Sequence, residues 1–158
     1  MQKNLSLCVC INVDKKSGGF FGHMEDIQSI VRNDLHKINI NIDTDEKLGI
    51  SFDPETGSPA DCRVFADMKG YHFCPGAGEK GSDRVYANVG DLLYQVYLRI
   101  TYSLASRYAA DYHREFPNTF IDPRQTLLTM QLQLLKTLGT EYYRKRDAEI
   151  SRLVREHL

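Results

Sequence analysis

Apolar and polar positions alternate from Leu5 to Val13, with Leu5, Leu7, Val9, Ile11 and Val13 on one side and Ser6, Cys8, Cys10 and Asn12 on the other. A period of two is the signature of a strand. After a glycine-rich connection at 15–22, Met24, Ile27, Ile30, Val31, Leu35 and Ile38 recur at helical spacing and predict a short amphipathic helix to about Lys37. Alternation returns at Ile38, Ile40 and Ile42 and again at Leu48, Ile50 and Phe52, so a hairpin is expected across Thr44-Asp45-Glu46-Lys47. Residues 53–61, with two prolines and a glycine, read as a loop.

A second hairpin is expected from Cys62 to Cys74 around Lys69-Gly70. Its pairing sets Met68 opposite Tyr71, Asp67 opposite His72, Ala66 opposite Phe73 and Phe65 opposite Cys74. One face is then Cys62, Val64, Ala66, Met68, Tyr71 and Phe73, which belongs to a core. The other, with Arg63, Phe65, Asp67, His72 and Cys74, should meet solvent or a partner. Beyond the glycine-rich loop 75–83, Arg84-Val85-Tyr86 adds a short strand.

From Asn88 the period changes to that of a helix. Asn88 with Asp91 three residues on marks a start, and Leu93, Val96, Tyr97, Ile100, Leu104, Tyr108 and Tyr112 form one stripe. Arg99, Ser103, Arg107, Asp111 and Arg114 form another. Asp122-Pro123 places a capping acid before a proline at the first helical position, and Leu127, Leu128, Met130, Leu132, Leu134, Leu135 and Leu138 follow almost all round that helix. The same helix is expected to continue through Arg144-Lys145-Arg146-Asp147 to Arg152 and Arg155, its last turns in solvent. These elements predict an α+β fold. It comprises a mostly antiparallel sheet of about five strands with one short helix (1–87), followed by a long C-terminal helical hairpin (88–158), in a single domain 1–158.

At 158 residues the chain can bury a core without disulfide or metal staples. A formal charge of −1 and a sequence pI near 6.5 exclude a globally basic nucleic-acid binder. Four cysteines, no charged-then-apolar leader and no long apolar run give the expectation of a cytoplasmic protein without a membrane segment. There is no Trp but nine Tyr, and Tyr94, Tyr97, Tyr102, Tyr108 and Tyr112 all fall in the first long helix. Such clustering fits a partly wet interface.

Several groups of residues offer chemistry. Cys8, Cys10, Cys62, Cys74, His23, His36 and His72 supply metal-ligand types, but Cys62 and Cys74 fall on opposite hairpin faces and the Cys-x-Cys spacing lacks the usual knuckle. No metal or cofactor is expected. The Gly76–Ser82 loop frees backbone N–H groups to point at an anion, with Lys80, Ser82 and Arg84 adding charge and a hydroxyl, yet it lacks the Walker order. Asp67 and His72 could form an oriented general base, though the plainer reading is a surface charge pair. Arg99, Arg107 and Arg114 beside tyrosines suit nucleotides, single strands or an acidic protein surface.

Arg107-x5-His113 resembles the Arg-x4-6-His signature of HEPN-type ribonucleases, all-helical dimers in which both residues act on the RNA phosphate. The resemblance covers these two positions and the helical C-terminal half, and the family's polar residue after the arginine is here Tyr108. A simpler reading pairs Arg107 with Asp111 and leaves His113 as a helix-end histidine.

The sequence therefore favours a non-catalytic binding protein of adaptor, inhibitor or ligand-sequestering type. It would homo-oligomerise through its C-terminal helices, because the apolar run at Leu127–Leu138 exceeds what one partner helix covers. It would engage an anionic, nucleotide-like ligand or an acidic protein partner through Lys80, Ser82, Arg84 and Arg107. A metal-independent ribonuclease using Arg107 and His113 is the alternative.

Overall fold

A computed structural model describes residues 21–44, 48–55, 58 and 61–157, with side chains from residue 27 onward. The strand expected at 5–13, most of the connection at 15–22 and the turn residues 45–47 lie outside the described residues. Helix α1 (Phe21–His36) is followed by β1 (Ile50–Ser51), β2 (Cys62–Asp67), β3 (Gly70–Cys74) and β4 (Arg84–Tyr86). Three helices close the described chain: α2 (Val89–Glu115), α3 (Pro123–Leu138) and α4 (Thr140–Glu156). The α+β class holds, with four strands among the described residues in the order β1-β2-β3-β4.

The expected hairpin from Ile38 to Phe52 does not form. Asn39 takes a left-handed φ of 59° and ends α1. Its N–H donates to the His36 carbonyl at 3.1 Å, and the Ile40 N–H reaches the Leu35 carbonyl at 3.0 Å. This double bond pattern is a Schellman ending, in which Asn tolerates the conformation that β-branched residues avoid. Ile38, Ile40 and Ile42 each pack half-buried against the core, so their alternation records a winding helix exit and turn. Arg32 grips Asp43 through two bonds of 3.0 Å and ties that turn to α1. Strand β1 instead pairs parallel with β2, Ile50 opposite Cys62.

The β2–β3 hairpin forms two residues out of the expected register, with Asp67 opposite Gly70, Phe65 opposite His72 and Val64 opposite Phe73. Met68 and Lys69 make the turn, the Asp67 carboxylate accepting the Lys69 N–H at 2.7 Å. That side-chain turn substitutes for a backbone one and draws the tip forward. Because the slip is even, both faces keep their residues, save that Met68 leaves the apolar face for solvent at 88% exposure. The second face is not open as expected: His72 and Cys74 are buried.

Cys62, Val64, Ala66 and Phe73 of the sheet meet Ile27, Val31 and Leu35 of α1 and Leu92, Leu93, Val96, Tyr97 and Ile100 of α2 in one core. Asn88 caps α2, its Oδ1 accepting the Asp91 N–H at 2.9 Å while Nδ2 donates to the Asp91 carboxylate at 2.8 Å. Asp122 caps α3 with Pro123 at the first position, as expected. The second long helix, however, breaks at Gly139, where a Cβ would stand 2.9 Å from the Tyr142 ring. That ring packs edge-on against Tyr97 at 4.9 Å. Beyond the break, Lys145 of α4 sits over the Tyr94 ring at 4.3 Å. No residue of α4 is buried, and Arg152 and Arg155 are exposed as expected.

Candidate functional site

Four positions along α2, Gln95, Arg99, Ser103 and Arg107, are spaced by four and so share one face of the helix. This face, read from sequence as a charged stripe, floors a groove of about 720 Å³. The small Ser103 and Ser106 line it beside the larger arginines. Leu48, Phe73, Leu98 and Tyr102 supply apolar wall, while Gln131 of α3, Arg146 of α4 and Glu79 of the 75–83 loop enter from other elements. Asp111 and Arg114, the far end of the stripe, lie outside and pair with each other.

Arg99 is the best-held guanidinium. Its Nη1 donates to Glu79 at 2.6 Å, its Nη2 lies 2.6 Å from the other Glu79 oxygen and donates to the Gly49 carbonyl at 3.3 Å. Burial works against its charge, but Glu79, Cys62 and Asp61 together outweigh this and raise the Arg99 pKa above its ordinary value. Arg146 pairs with Glu149 at 3.3 Å. The Nε atoms of Arg99 and Arg146 are buried without an acceptor among the described residues. Gln131 is 1% exposed, its Nε2 donating to the Leu98 carbonyl at 3.2 Å while its Oε1 is buried with no donor. A groove that combines guanidiniums, an unmet acceptor and apolar wall can receive a carboxylate-bearing group with an N–H beside it.

Of the residues singled out from sequence, Arg107 lies in this groove, whereas Lys80, Ser82 and Arg84 are exposed and do not line it. They border it, since Lys80 follows Glu79 and Arg84 stands opposite Phe73 across β3–β4. Gln131, Arg146 and Glu79 escaped the sequence reading because each arrives from a distant element. The tyrosines divide: Tyr94 and Tyr97 are core residues, while Tyr102 and Tyr108 are exposed. Burial, then the Asp34 carboxylate that accepts the Tyr97 hydroxyl at 2.5 Å, raise the Tyr97 pKa.

Other candidates resolve differently. Asp67 and His72 meet despite the slipped register, diagonally, with Nε2 to Oδ1 at 2.7 Å. Phe65 stacks on the His72 ring at 4.5 Å, which locks the pair. Cys74 shares that face, but burial and then Asp83 raise its thiol pKa and oppose thiolate chemistry. Cys62 and Cys74 are free thiols, and among the described residues no three His, Cys, Asp or Glu form a group that could hold a metal. His113 faces Thr126 of α3 at 3.1 Å and shares no described groove with Arg107. No helix among the described residues is long and apolar enough to cross a membrane.

The profile of the family described as Immunity protein 63 matches residues 71–152, just over half of the chain. The chain belongs to the Immunity protein 63 family. No curated protein and no solved structure matches it. The segment shared with the Immunity protein 63 family runs from β3 through most of α4 and carries the groove except for Leu48 and Gly49. Helix α1 and strands β1 and β2 lie outside the match.

Proposed function

We propose that this protein is a non-catalytic inhibitor that binds a protein toxin and neutralises it. The observation that carries this reading is the Immunity protein 63 match over 71–152, which holds nearly all of the arginine-lined groove. Arg107 contributes from the groove floor, and Lys80, Ser82 and Arg84 form an exposed polar rim beside it. Charge of this kind steers an acidic partner and fixes its orientation. His113 is engaged by Thr126 of α3 while Arg107 lines the groove, an arrangement that favours binding over the ribonuclease alternative. The test is growth of a susceptible host expressing a candidate toxin with and without this chain, beside calorimetry of the purified pair. Stoichiometric binding with restored growth is expected, and unrestrained toxicity across a panel of polypeptide toxins would overturn it.

Self-association through the C-terminal helices forms part of the same proposal, with a changed surface. None of the seven large apolar residues at Leu127–Leu138 is exposed, and Leu135 is fully buried, so Leu135→Asp would unfold the monomer instead of reporting on assembly. Apart from Tyr102 at the groove, the exposed aromatic residues among those described lie at the α2–α3 tip: Tyr108, Phe116 and Phe120, with Ile121 beside them. Clusters of this type serve as interface anchors. Native mass spectrometry should show an oligomer that Phe120→Asp dissociates, and a monomeric wild type at micromolar concentration would remove the proposal.

A further inference from the structure

Glu79 occupies Arg99 as a carboxylate from a partner would. It sits on a loop between Gly78, with a φ of 90°, and Gly81, with a φ of 151°, conformations in the region that favours glycine. The side chains of Glu79 and its neighbours Lys80 and Ser82 are exposed, and the loop's own backbone bond there is the Glu79 N–H to the Gly76 carbonyl at 3.1 Å. The loop is thus tied to α2 by a two-oxygen ion pair at the groove, while its backbone has conformational freedom on either side. Below that contact, the buried Nε atoms of Arg99 and Arg146 and the Oε1 of Gln131 have no partners among the described residues. The groove displays one filled anion position and further unmet polar groups, beside apolar wall from Leu98 and Tyr102.

We propose that Glu79 is an internal latch, and that an acidic segment of the partner protein displaces it from Arg99 when it enters the groove. The inference rests on the toxin-binding reading and names the chemistry of the recognised surface: a carboxylate for Arg99 and Arg146, and a backbone N–H for Gln131. A peptide fits these groups better than a phosphate does, because Gln131 Oε1 is an acceptor that repels phosphate oxygen and welcomes an amide donor. Apolar wall beside the guanidiniums suits the methylene stem of a glutamate. A partner carboxylate and Glu79 compete for one guanidinium, so free protein carries a built-in discount on affinity that loss of the Glu79 charge removes.

The experiment titrates acetyl-tetraglutamate-amide into the full chain by calorimetry and by amide NMR at low and moderate salt, with tetraglutamine and AMP as comparison probes. Glu79→Gln is expected to tighten tetraglutamate by about fivefold, equivalent to ~1 kcal/mol, since one competing ion is gone. Adding Arg146→Gln to Glu79→Gln should reverse the gain, and added salt should weaken binding throughout. Glu79 lies on an exposed loop, and circular dichroism with thermal melts confirms that each variant is folded. An affinity for tetraglutamate that Glu79→Gln leaves unchanged or weakens would overturn the latch. Silence of the peptide in both proteins, or binding of AMP in its place, would overturn the acidic-segment assignment. The titration needs no toxin, so peptide silence alongside intact growth protection condemns the groove and spares the inhibitor role, and the converse result separates them the other way.

Discussion

Replacing Gln131 with methionine removes two hydrogen bonds and one unmet polar atom from the same buried place, and the balance decides the sign of the effect. The lost bonds run from Nε2 to the Leu98 carbonyl at 3.2 Å and to the Thr101 hydroxyl oxygen at 3.5 Å. That carbonyl lies within α2 and also stands 3.3 Å from the Thr101 hydroxyl, so it is not orphaned. The shorter bond dominates the loss, about 0.5–1.5 kcal/mol, since the longer one is weak and the Thr101 hydroxyl keeps its bond to the Tyr97 carbonyl, whereas relieving a buried unsatisfied acceptor returns about 1–3 kcal/mol. Methionine matches glutamine closely in length and in helix propensity, so neither a cavity nor a backbone penalty enters. The net expectation is a gain of about 1 kcal/mol, or roughly 2–4 °C in Tm for a chain of this size. Urea unfolding with an unchanged slope measures it. The same variant should bind tetraglutamate more weakly, because the acceptor for the peptide N–H is gone. A loss of about 1 kcal/mol or more would refute the reasoning, since it would mean that a donor already satisfies Oε1 in the free protein.

Gly70→Ala should destabilise by roughly 2–4 kcal/mol, since φ is 135° and a Cβ would stand 2.7 Å from the Tyr86 carbonyl oxygen of β4. Hydrogen exchange should show the β3–β4 amides losing protection, and wild-type stability would contradict the placement of β4. The Asp67 carboxyl is held below its ordinary value, first by the hydrogen bond with His72. Its contribution is therefore present above that value and fades as pH falls through the lower folded pKa. The stability gap between wild type and Asp67→Asn should narrow between about pH 5 and pH 2, and a constant gap in urea midpoints would count against the pair. Burial pushes the Cys62 thiol up to about 12. Its peptide should resist iodoacetamide at about pH 8 until the protein unfolds, and prompt labelling of folded protein would place that side chain outside the core.

Elements governed by neighbouring residues were legible in the sequence: the caps at Asn88 and Asp122, the helical stripes of α1, α2 and α3, strand β4, and the two faces of the β2–β3 hairpin. Their signals lie within one or two turns of chain, where propensity and periodicity act. The hairpin register was not legible, because a two-residue slip preserves both faces and only the Asp67 turn distinguishes the pairings. Alternation at Ile38–Ile42 misled for a related reason. A left-handed Asn39 also drops alternate residues into a core, and which outcome prevails depends on what lies opposite. Gly139 was visible as a glycine, but the close approach of the Glu141 and Tyr142 side chains to its Cα belongs to the folded chain. Within the groove, the sequence determined the line of Gln95, Arg99, Ser103 and Arg107 through the pitch of one helix. Only tertiary folding brought Glu79, Gln131 and Arg146 to it, since long-range side-chain convergence leaves no periodic trace in the chain.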